Sequence, residues 1–223
     1  MGCNIAIDGP AGAGKSTIAK KVAKELSFIY VDTGAMYRAM AYYLLNQGIK
    51  GDDQEAIAEK CHGADISIEY KDGEQIVILN GDNVNAVIRT EEVGNMASVS
   101  SANPRVREHL LKLQRTLAAN NDVVMDGRDI GTTILPNAEV KIYLTASAET
   151  RARRRALEYE QKGIACDLDQ ICQDIIARDQ RDMNREISPL KQAEDAVLVD
   201  SSEMGIDEVV NAILDVYRQK VKA

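Results

Sequence analysis

The sequence lacks the patterns that would indicate a zinc site, a disulfide framework or export. Its four cysteines include no C-x-x-C pair, and its two histidines stand well apart in the chain. We therefore expect neither structural zinc nor regular disulfide bonds. No signal-peptide pattern precedes the first strand-like segment. Free thiols without an export signal lead us to expect a cytoplasmic protein.

Long apolar runs and an excess of basic residues are also missing. No apolar stretch approaches the roughly 20 residues that a membrane-spanning helix needs. The 27 lysines and arginines are outnumbered by 35 aspartates and glutamates, which leaves a net charge of −8. Nucleic acids and anionic membranes bind broad basic faces, so we expect neither as a partner. An anionic substrate would have to be bound by a local group of arginines.

The most informative segment is GPAGAGKS at residues 9–16, which fits the phosphate-binding pattern G-x-x-x-x-G-K-[ST]. It follows an apolar run at residues 5–7 and precedes a helical pattern that starts at Lys15, the strand-loop-helix context that a P-loop requires. In such a loop, backbone N–H groups bind phosphate, Lys15 reaches the terminal phosphates and Ser16 reaches Mg²⁺. The segment predicts a nucleoside triphosphate site.

Short apolar runs rich in β-branched residues alternate with helical patterns, which predicts an α/β fold with a five-stranded parallel sheet flanked by helices. The predicted strands are 5–7, 28–31, 123–126, 140–144 and 196–200. The predicted helices are 15–26, 32–48, one that begins at Pro104, 149–162, 168–184 and a last one through 209–221. Residues 65–87 alternate instead, with Asp-Gly and Asn-Gly turns, which predicts a small antiparallel insert.

Several classes of P-loop protein are disfavoured by strings that the chain lacks. A GTPase would carry N-K-x-D and D-x-x-G, a transport ATPase would carry an L-S-G-G-Q-type signature, and none of these occurs. A kinase that acts on a small phosphorylated acceptor needs instead a second anion pocket opposite the P-loop and a mobile, arginine-rich cover. The chain offers candidates for both.

The second anion pocket is predicted where two strands end. Thr33, Tyr37 and Arg38 head the helix after the second predicted strand, and the segment from Asp126 to Asp129 follows the third. Parallel sheets bind ligands beyond the carboxyl ends of their strands, and a helix N-terminus beside an arginine favours phosphate. For Tyr37, core packing and nucleobase contact both stay open. Asp126 is either an outer-sphere partner of Mg²⁺ or a structural cap.

An arginine-rich cover is predicted on the helix before the last strand. Arg178, Arg181, Asp182 and Arg185 fall within an arc of about 100° on that helix. Guanidinium groups on one face repel one another unless an anion lies opposite them. Arginines within residues 151–155 would add cover, although a solvated charge run accounts for at least two of them. A solvated surface is the plain alternative for the whole face.

Five strings together resemble the bacterial cytidylate kinase family, and the resemblance spans essentially the whole chain. They are DGPAGAGKS at 8–16, DTGAMYR at 32–38, PRVR at 104–107, DGRDIGT at 126–132 and RDQRDMNR at 178–185. Each string is modest alone, but their order, with the predicted insert between the second and third, is specific. The resemblance implies transfer of the γ-phosphoryl group of ATP, with Mg²⁺, to CMP or dCMP, which forms ADP and CDP or dCDP.

The resemblance also implies roles for individual residues. The implied ATP site comprises Gly9, Gly12, Ala13, Gly14, Lys15, Ser16 and Thr17. The implied CMP site comprises Thr33, Tyr37, Arg38, Ser98, Arg107, Arg128, Asp129, Arg178, Asp182 and Arg185. Catalytic charge stabilisation is expected from Lys15, Arg128, Arg178, Arg181 and Arg185. Spacing alone leaves Arg105 and Arg107 equal as candidates for the base, and only the family pattern selects Arg107.

Within the CMP site, the resemblance assigns Thr33, Arg38, Arg128 and Arg185 to the acceptor phosphate, Ser98, Arg107 and Asp129 to cytosine, and Arg178 and Asp182 to the sugar. A carboxylate such as Asp129 accepts from the exocyclic amine of cytosine, whereas uracil presents a carbonyl there, so weaker use of UMP follows. No general base is expected, because the attacking phosphate oxygen is already largely ionised.

We expect one P-loop kinase unit and a monomer. Its expected parts are a core (1–35, 104–148 and 186–223), an acceptor-binding region (about 36–103, with the β insert at 65–87) and a helical lid (about 149–185). Two other functions stay open: a nucleoside monophosphate kinase for UMP, dTMP or AMP, and a regulatory protein that binds nucleotide without transferring phosphate.

Overall fold

Eight strands form two separate sheets in the computed structural model, which describes residues 2–221. The strands are β1 (Asn4–Asp8), β2 (Ile29–Asp32), β3 (Ile66–Lys71), β4 (Glu74–Leu79), β5 (Asp82–Asn83), β6 (Val123–Gly127), β7 (Val140–Thr145) and β8 (Val197–Asp200). The larger sheet has the order β2-β6-β1-β7-β8, and every pair in it is parallel. The predicted five-stranded parallel sheet is confirmed.

Eight α-helices accompany these strands within the described residues, the last of them after β8. They are α1 (Lys15–Leu26), α2 (Thr33–Asn46), α3 (Gln54–Lys60), α4 (Glu91–Ser100), α5 (Pro104–Asn120), α6 (Ala148–Gln161), α7 (Leu168–Met183) and α8 (Ile206–Val221). The predicted helices are all present, and α5 starts as expected, with the Asn103 side chain accepting from the Arg105 N–H at 3.0 Å. The prediction missed α3 and α4.

The larger sheet is buried on both faces because its strands are apolar on both sides. Ala6, Val31 and Met125 belong to the core on one face, with side chains from α2, α4 and α5. Ile5 and Val124 belong to the core on the other face, with side chains from α1 and α8. Successive residues of a strand point to opposite faces, so continuous apolar strands suit a sheet that helices cover twice.

The smaller sheet is the antiparallel insert that the alternating pattern predicted. β3 and β4 pair through the turn at Asp72 and Gly73, whose φ values of 53° and 78° are those of a left-handed two-residue turn. Val77 and Leu79 of β4 are buried in the core beside α2. The insert is thereby held close to β2 and to the start of α2, where the acceptor pocket was predicted.

The helices α6 and α7 pack against each other as a hairpin with a small apolar core of their own, formed by Ala152, Ile171 and Ile175. This hairpin lies within the segment that the sequence assigns to a lid. No helix among residues 2–221 combines the length and apolar character required to cross a membrane.

Candidate active site

A cleft of about 410 Å³ lies beyond the carboxyl ends of β1, β2 and β6. The structure brings sixteen of the predicted site residues together in its wall. They are Gly12, Gly14, Lys15, Ser16, Thr17, Thr33, Tyr37, Arg38, Ser98, Arg107, Asp126, Arg128, Asp129, Arg178, Asp182 and Arg185. Parallel β-α units place ligands at this edge, because each strand ends there in a loop and a new helix begins.

Two glycines allow the P-loop to take its shape between β1 and α1. A Cβ on Gly9 would lie 1.9 Å from the main-chain oxygen of Leu144, so only glycine fits where the chain passes β7. Gly14 caps α1 in the left-handed region, with a φ of 84°. Gly9 and Ala13 are buried and do not line the cleft, although both were predicted to contact ATP. Their contribution to the ATP site stays a prediction.

Lys15 is the first residue of α1 and is buried, although it is charged in water. Its Nζ donates to the main-chain oxygen of Pro10 at 2.7 Å, which folds the side chain back over the loop. Burial, with the positive charge of Arg128 nearby, lowers the pKa of Lys15 from 10.5 to about 7. An incoming polyphosphate would reverse that shift, because an anion beside the ammonium favours its charged form.

Asp126, at the end of β6, joins the P-loop to the acceptor side of the cleft. Its carboxylate accepts from Ser16 Oγ at 2.9 Å and from the Tyr30 hydroxyl at 3.0 Å. Its main-chain oxygen accepts from Thr33 Oγ1 at 2.7 Å, so the single hydroxyl proton of Thr33 is already engaged. Burial, with the carboxylate of Asp32 nearby, raises the pKa of Asp126 to about 6.

Asp182 of α7 organises the arginines opposite the P-loop. Its Oδ2 accepts from Arg128 Nε at 3.0 Å, and its Oδ1 accepts from Arg185 and, at 3.4 Å, from the Ser98 hydroxyl. Burial alone would raise the pKa of Asp182, but the surrounding guanidinium groups of Arg128, Arg185 and Arg178 hold it below its usual value. One carboxylate thus fixes two arginines from different elements.

Arg178 and Arg38 carry positive charge into the same cleft. Burial, with Arg128 nearby, lowers the pKa of Arg178 to about 10, and its buried Nε has no hydrogen-bond partner within residues 2–221. Burial also lowers the pKa of Arg38. A buried donor without a partner is costly, so this part of the cleft is suited to a ligand oxygen that would accept from it.

Arg107 and Asp129 form a buried pair on the far side of the acceptor pocket. Arg107 Nη2 donates to the Asp129 carboxylate, and Nη1 donates to the main-chain oxygen of Ser101 at 3.3 Å. The guanidinium also lies over the Tyr37 ring, 5.6 Å from its centroid. Burial raises the pKa of Asp129, although Arg107 opposes this shift. The pair presents a donor and an acceptor side by side.

The structure shows which of Arg105 and Arg107 lines the cleft, a choice that their spacing in the sequence left open. Arg105 is exposed and pairs with Glu108 on the surface of α5, whereas Arg107 is buried and lines the cleft. Ser98, expected only from the family resemblance, lies on the unpredicted helix α4.

Arg181 is not brought into the cleft with its predicted neighbours. It is exposed, whereas Asp182 is buried and Arg178 and Arg185 are half-buried in the cleft wall. Arg181 lies at one edge of the predicted arc and Asp182 lies at the other. The packing of α7 against α6 turns the Asp182 edge toward the cleft. Arg181 therefore does not line the cleft with the other three, and a catalytic role for Arg181 stays a prediction.

The four arginines of α6 have different environments. Arg151 is buried and donates to the main-chain oxygen of Ala11 at 2.9 Å and to Asp179 at 2.6 Å, so it ties the hairpin to the P-loop. Arg153 is exposed, and Arg154 donates to the main-chain oxygen of Ser201 at 2.6 Å. Only Arg155 lines the cleft. Of the four arginines of α6, one thus contributes to the cleft wall.

Some residues of the cleft wall were not predicted. Arg89 precedes α4, Glu158 lies on α6 and Ser101 follows α4. Arg89 pairs with Asp32, the N-cap of α2, at 2.8 Å. None of them belongs to a motif, and Arg89 and Asp32 are far apart in sequence, so no local pattern could have joined them.

Comparisons with known proteins agree with this geometry. The sequence model of the family described as cytidylate kinase matches residues 5–219. The chain is 51% identical to a cytidylate kinase of Caldicellulosiruptor bescii over 98% of this chain and 97% of that protein. It is 48% identical to a cytidylate kinase of a Geobacillus species over 97% of both. A crystal structure of an uncharacterized protein from Eubacterium ventriosum has a TM-score of 0.51, with 14% identity and 96% of both chains covered, which indicates a shared fold alone.

Proposed function

We propose, since this chain belongs to the cytidylate kinase family, that it transfers the γ-phosphoryl group of ATP to CMP or dCMP. The products are ADP and CDP or dCDP. One observation carries the proposal. A P-loop, a group of arginines and the Arg107–Asp129 pair all line a single cleft, which suits two nucleotides bound with their phosphates facing each other.

The P-loop side is the donor half. The N-terminus of α1 and the loop N–H groups suit the phosphates of ATP, and Lys15 is the cation nearest to them along the chain. Lys15 Nζ now donates to the main-chain oxygen of Pro10. When ATP binds, its phosphate oxygens would replace that oxygen as the acceptor. That exchange stabilises negative charge on the transferred group, which is how P-loop lysines act.

Mg²⁺ would be held largely through ATP. The facing oxygens of Ser16 and Asp126 are 2.9 Å apart and are donors of the kind that Mg²⁺ prefers. In the part of the chain from residue 2 to residue 221, no group of three or more His, Cys, Asp or Glu side chains could hold a metal ion by itself. Phosphate oxygens and water would complete the shell. The bound ion neutralises charge on the β- and γ-phosphates.

The acceptor phosphate is best placed among the arginines opposite. Arg38, Arg128 and Arg185 line the same wall, and Asp182 fixes the last two of them. Fixed donors contribute more to catalysis than mobile ones, because they need not reorganise as charge develops. In this arrangement Asp182 and the unpartnered Nε of Arg178 face the sugar side.

The base would lie against Arg107 and Asp129. The carboxylate accepts from the exocyclic amine of cytosine, and the guanidinium donates to its ring nitrogen or carbonyl. Tyr37, with Arg107 over its ring, supplies a flat apolar wall. Uracil would place a carbonyl against the carboxylate, so UMP is the weaker acceptor.

The reaction itself needs no proton abstraction by the protein, since an acceptor phosphate oxygen is already ionised near neutral pH. The chain's residues hold two phosphates in line and neutralise the charge between them. We assign residues 149–185 as the lid. Closing it would exclude water, which otherwise competes as the acceptor.

The test is product formation by the purified protein with Mg·ATP and CMP. ADP is followed in a coupled assay and CDP by ³¹P nuclear magnetic resonance, and the two are expected in equal amounts. Lys15→Ala is expected to lose nearly all turnover, whereas Lys24→Ala, an exposed lysine on the same helix, serves as the matched control. ATP binding without ADP formation would instead identify a regulatory nucleotide-binding protein.

A further inference from the structure

Asp32 connects the antiparallel insert to the head of α2. Its Oδ1 accepts from the Ala35 N–H at 2.9 Å and so caps the helix that carries Arg38. Its Oδ2 accepts from Arg89 Nη2 at 2.8 Å. The Asp32 side chain is 7% exposed, whereas that of Arg89 is 58% exposed and lines the cleft. A buried carboxylate therefore depends on a cleft arginine for its charge partner.

The antiparallel insert also contacts Asp32, through hydrogen bonds to the main chain of Asp32. Gln75 of β4 accepts from the Asp32 N–H at 2.8 Å and donates to the Asp32 oxygen at 3.2 Å. The Tyr70 hydroxyl of β3 donates to the main-chain oxygen of Tyr30 at 3.0 Å. These contacts fix the main chain at Asp32, and the bond from the Ala35 N–H holds its carboxylate at the start of α2.

Arg38 lies close enough to be an alternative partner for that carboxylate. A Cβ placed on Gly34 would lie 3.2 Å from Asp32 Oδ1 and 3.4 Å from Arg38 Nη1, so both atoms border the same small space. Asp32 also favours the charged form of Arg38. Yet among residues 2–221 the Arg38 guanidinium forms no ion pair, while Asp32 is paired with Arg89.

We infer that Arg89 is a positioning residue for the acceptor site: it occupies Asp32 and thereby leaves Arg38 free to bind the acceptor phosphate. The inference rests on the proposed function. Without Arg89, the buried carboxylate would be left with one main-chain donor, and an unpaired buried charge draws in any cation within reach. Arg38 would turn to Asp32 and be lost to the acceptor.

The experiment measures steady-state constants for CMP and for ATP in the wild type, Arg89→Ala, Asp32→Asn and the double variant. Arg89→Ala is expected to raise KM for CMP about tenfold or more and to leave KM for ATP within about twofold. Asparagine removes the charge of Asp32 but still caps a helix. Adding Asp32→Asn to Arg89→Ala is therefore expected to recover most of the loss.

Arg218→Ala is the matched control. Its side chain is 57% exposed and pairs with one carboxylate, that of Asp215, at 2.7 Å on α8. Thermal unfolding of each variant shows whether it is folded at the assay temperature.

Four outcomes are decisive. Recovery in the double variant supports the inference, because a merely structural loss would not be repaired by removing a second interaction. A double variant as impaired as Arg89→Ala would overturn it, as would an unchanged KM for CMP in Arg89→Ala. A wild-type protein that forms no CDP in the same assay would refute the proposed function instead, so the two failures are distinguishable.

Discussion

Replacing Asp129 with asparagine is expected to abolish most of the preference for CMP over UMP. The Asp129 side chain is 5% exposed and pairs with Arg107, so little water is available to replace a lost interaction. The carboxylate can only accept, which suits the amine of cytosine and opposes the carbonyl of uracil. Asparagine can present its amide N–H₂ to uracil while its oxygen still accepts from Arg107.

The size of the change follows from the hydrogen bonds involved. A bond to a charged acceptor contributes about 1.5–3 kcal/mol, and a neutral one contributes about 0.5–1.5 kcal/mol. Cytosine thus loses about 1 kcal/mol or more, and uracil gains a comparable amount. Base discrimination of about 1–3 kcal/mol corresponds to a change of about 5- to 150-fold in the ratio of kcat/KM for the two acceptors.

The assay compares kcat/KM for CMP and UMP at fixed ATP, in the wild type and in Asp129→Asn. Thermal unfolding is measured alongside, since weakening a buried ion pair costs stability. The kcat for the better acceptor should fall much less than the ratio. If the ratio stays at its wild-type value in a folded variant, Asp129 does not read the base.

Three further predictions concern the donor side and the lid. The pKa of Lys15 is about 7 in the ligand-free protein, and bound phosphates raise it. ATP binding at pH 8 should therefore take up a proton, and ATP affinity should fall as the pH rises above 7. Calorimetry in two buffers of different ionisation enthalpy measures both the affinity and the number of protons taken up. The Lys15→Arg variant should bind ATP without taking up a proton, because arginine is charged over the whole pH range of the experiment. Arg178→Ala should lower kcat/KM for CMP more than Arg181→Ala, since only Arg178 lines the cleft. Equal losses of kcat/KM in Arg178→Ala and Arg181→Ala would contradict the last expectation. ATP binding by the wild type without proton uptake at pH 8 would contradict the first.

The parts of the fold that were predicted correctly are those that local physics determines. α1 begins at Lys15 and ends at Leu26 as predicted, because a glycine loop precedes it and an apolar stripe runs along it. Strands with apolar residues on both sides could belong only to a covered sheet. Their ends therefore marked the ligand edge, and polar residues such as Asp126 could be placed there.

The helix α4 was missed because its sequence is a poor helix former. Gly94, Val93, Val99 and three serines or asparagines lower its intrinsic propensity, and packing of Met96 and Val93 beside α2 stabilises it instead. The signal that could have located it is Thr90 followed by two glutamates. Thr90 does cap the helix, with its hydroxyl accepting from the Val93 N–H at 3.3 Å.

The site residues that the sequence could not identify act through tertiary contacts. Arg89 lies in a loop without a motif, and only the fold brings it to Asp32. Likewise, helical spacing placed Arg181 beside Asp182, but the packing of α7 against α6 decides which edge of the arc faces the cleft. Helical periodicity gives the angles between the side chains of one helix. Which of its faces points to the cleft depends on the elements that pack against the helix.

The most direct test of the central claim is an acceptor panel with the wild-type protein. Turnover of CMP, dCMP, UMP, dTMP and AMP is measured at fixed Mg·ATP, and ADP formation is compared through kcat/KM. A site built from a P-loop, an arginine wall and the Arg107–Asp129 pair should favour CMP or dCMP over every other acceptor. Equal or better turnover of UMP would contradict the assignment of that pair to cytosine.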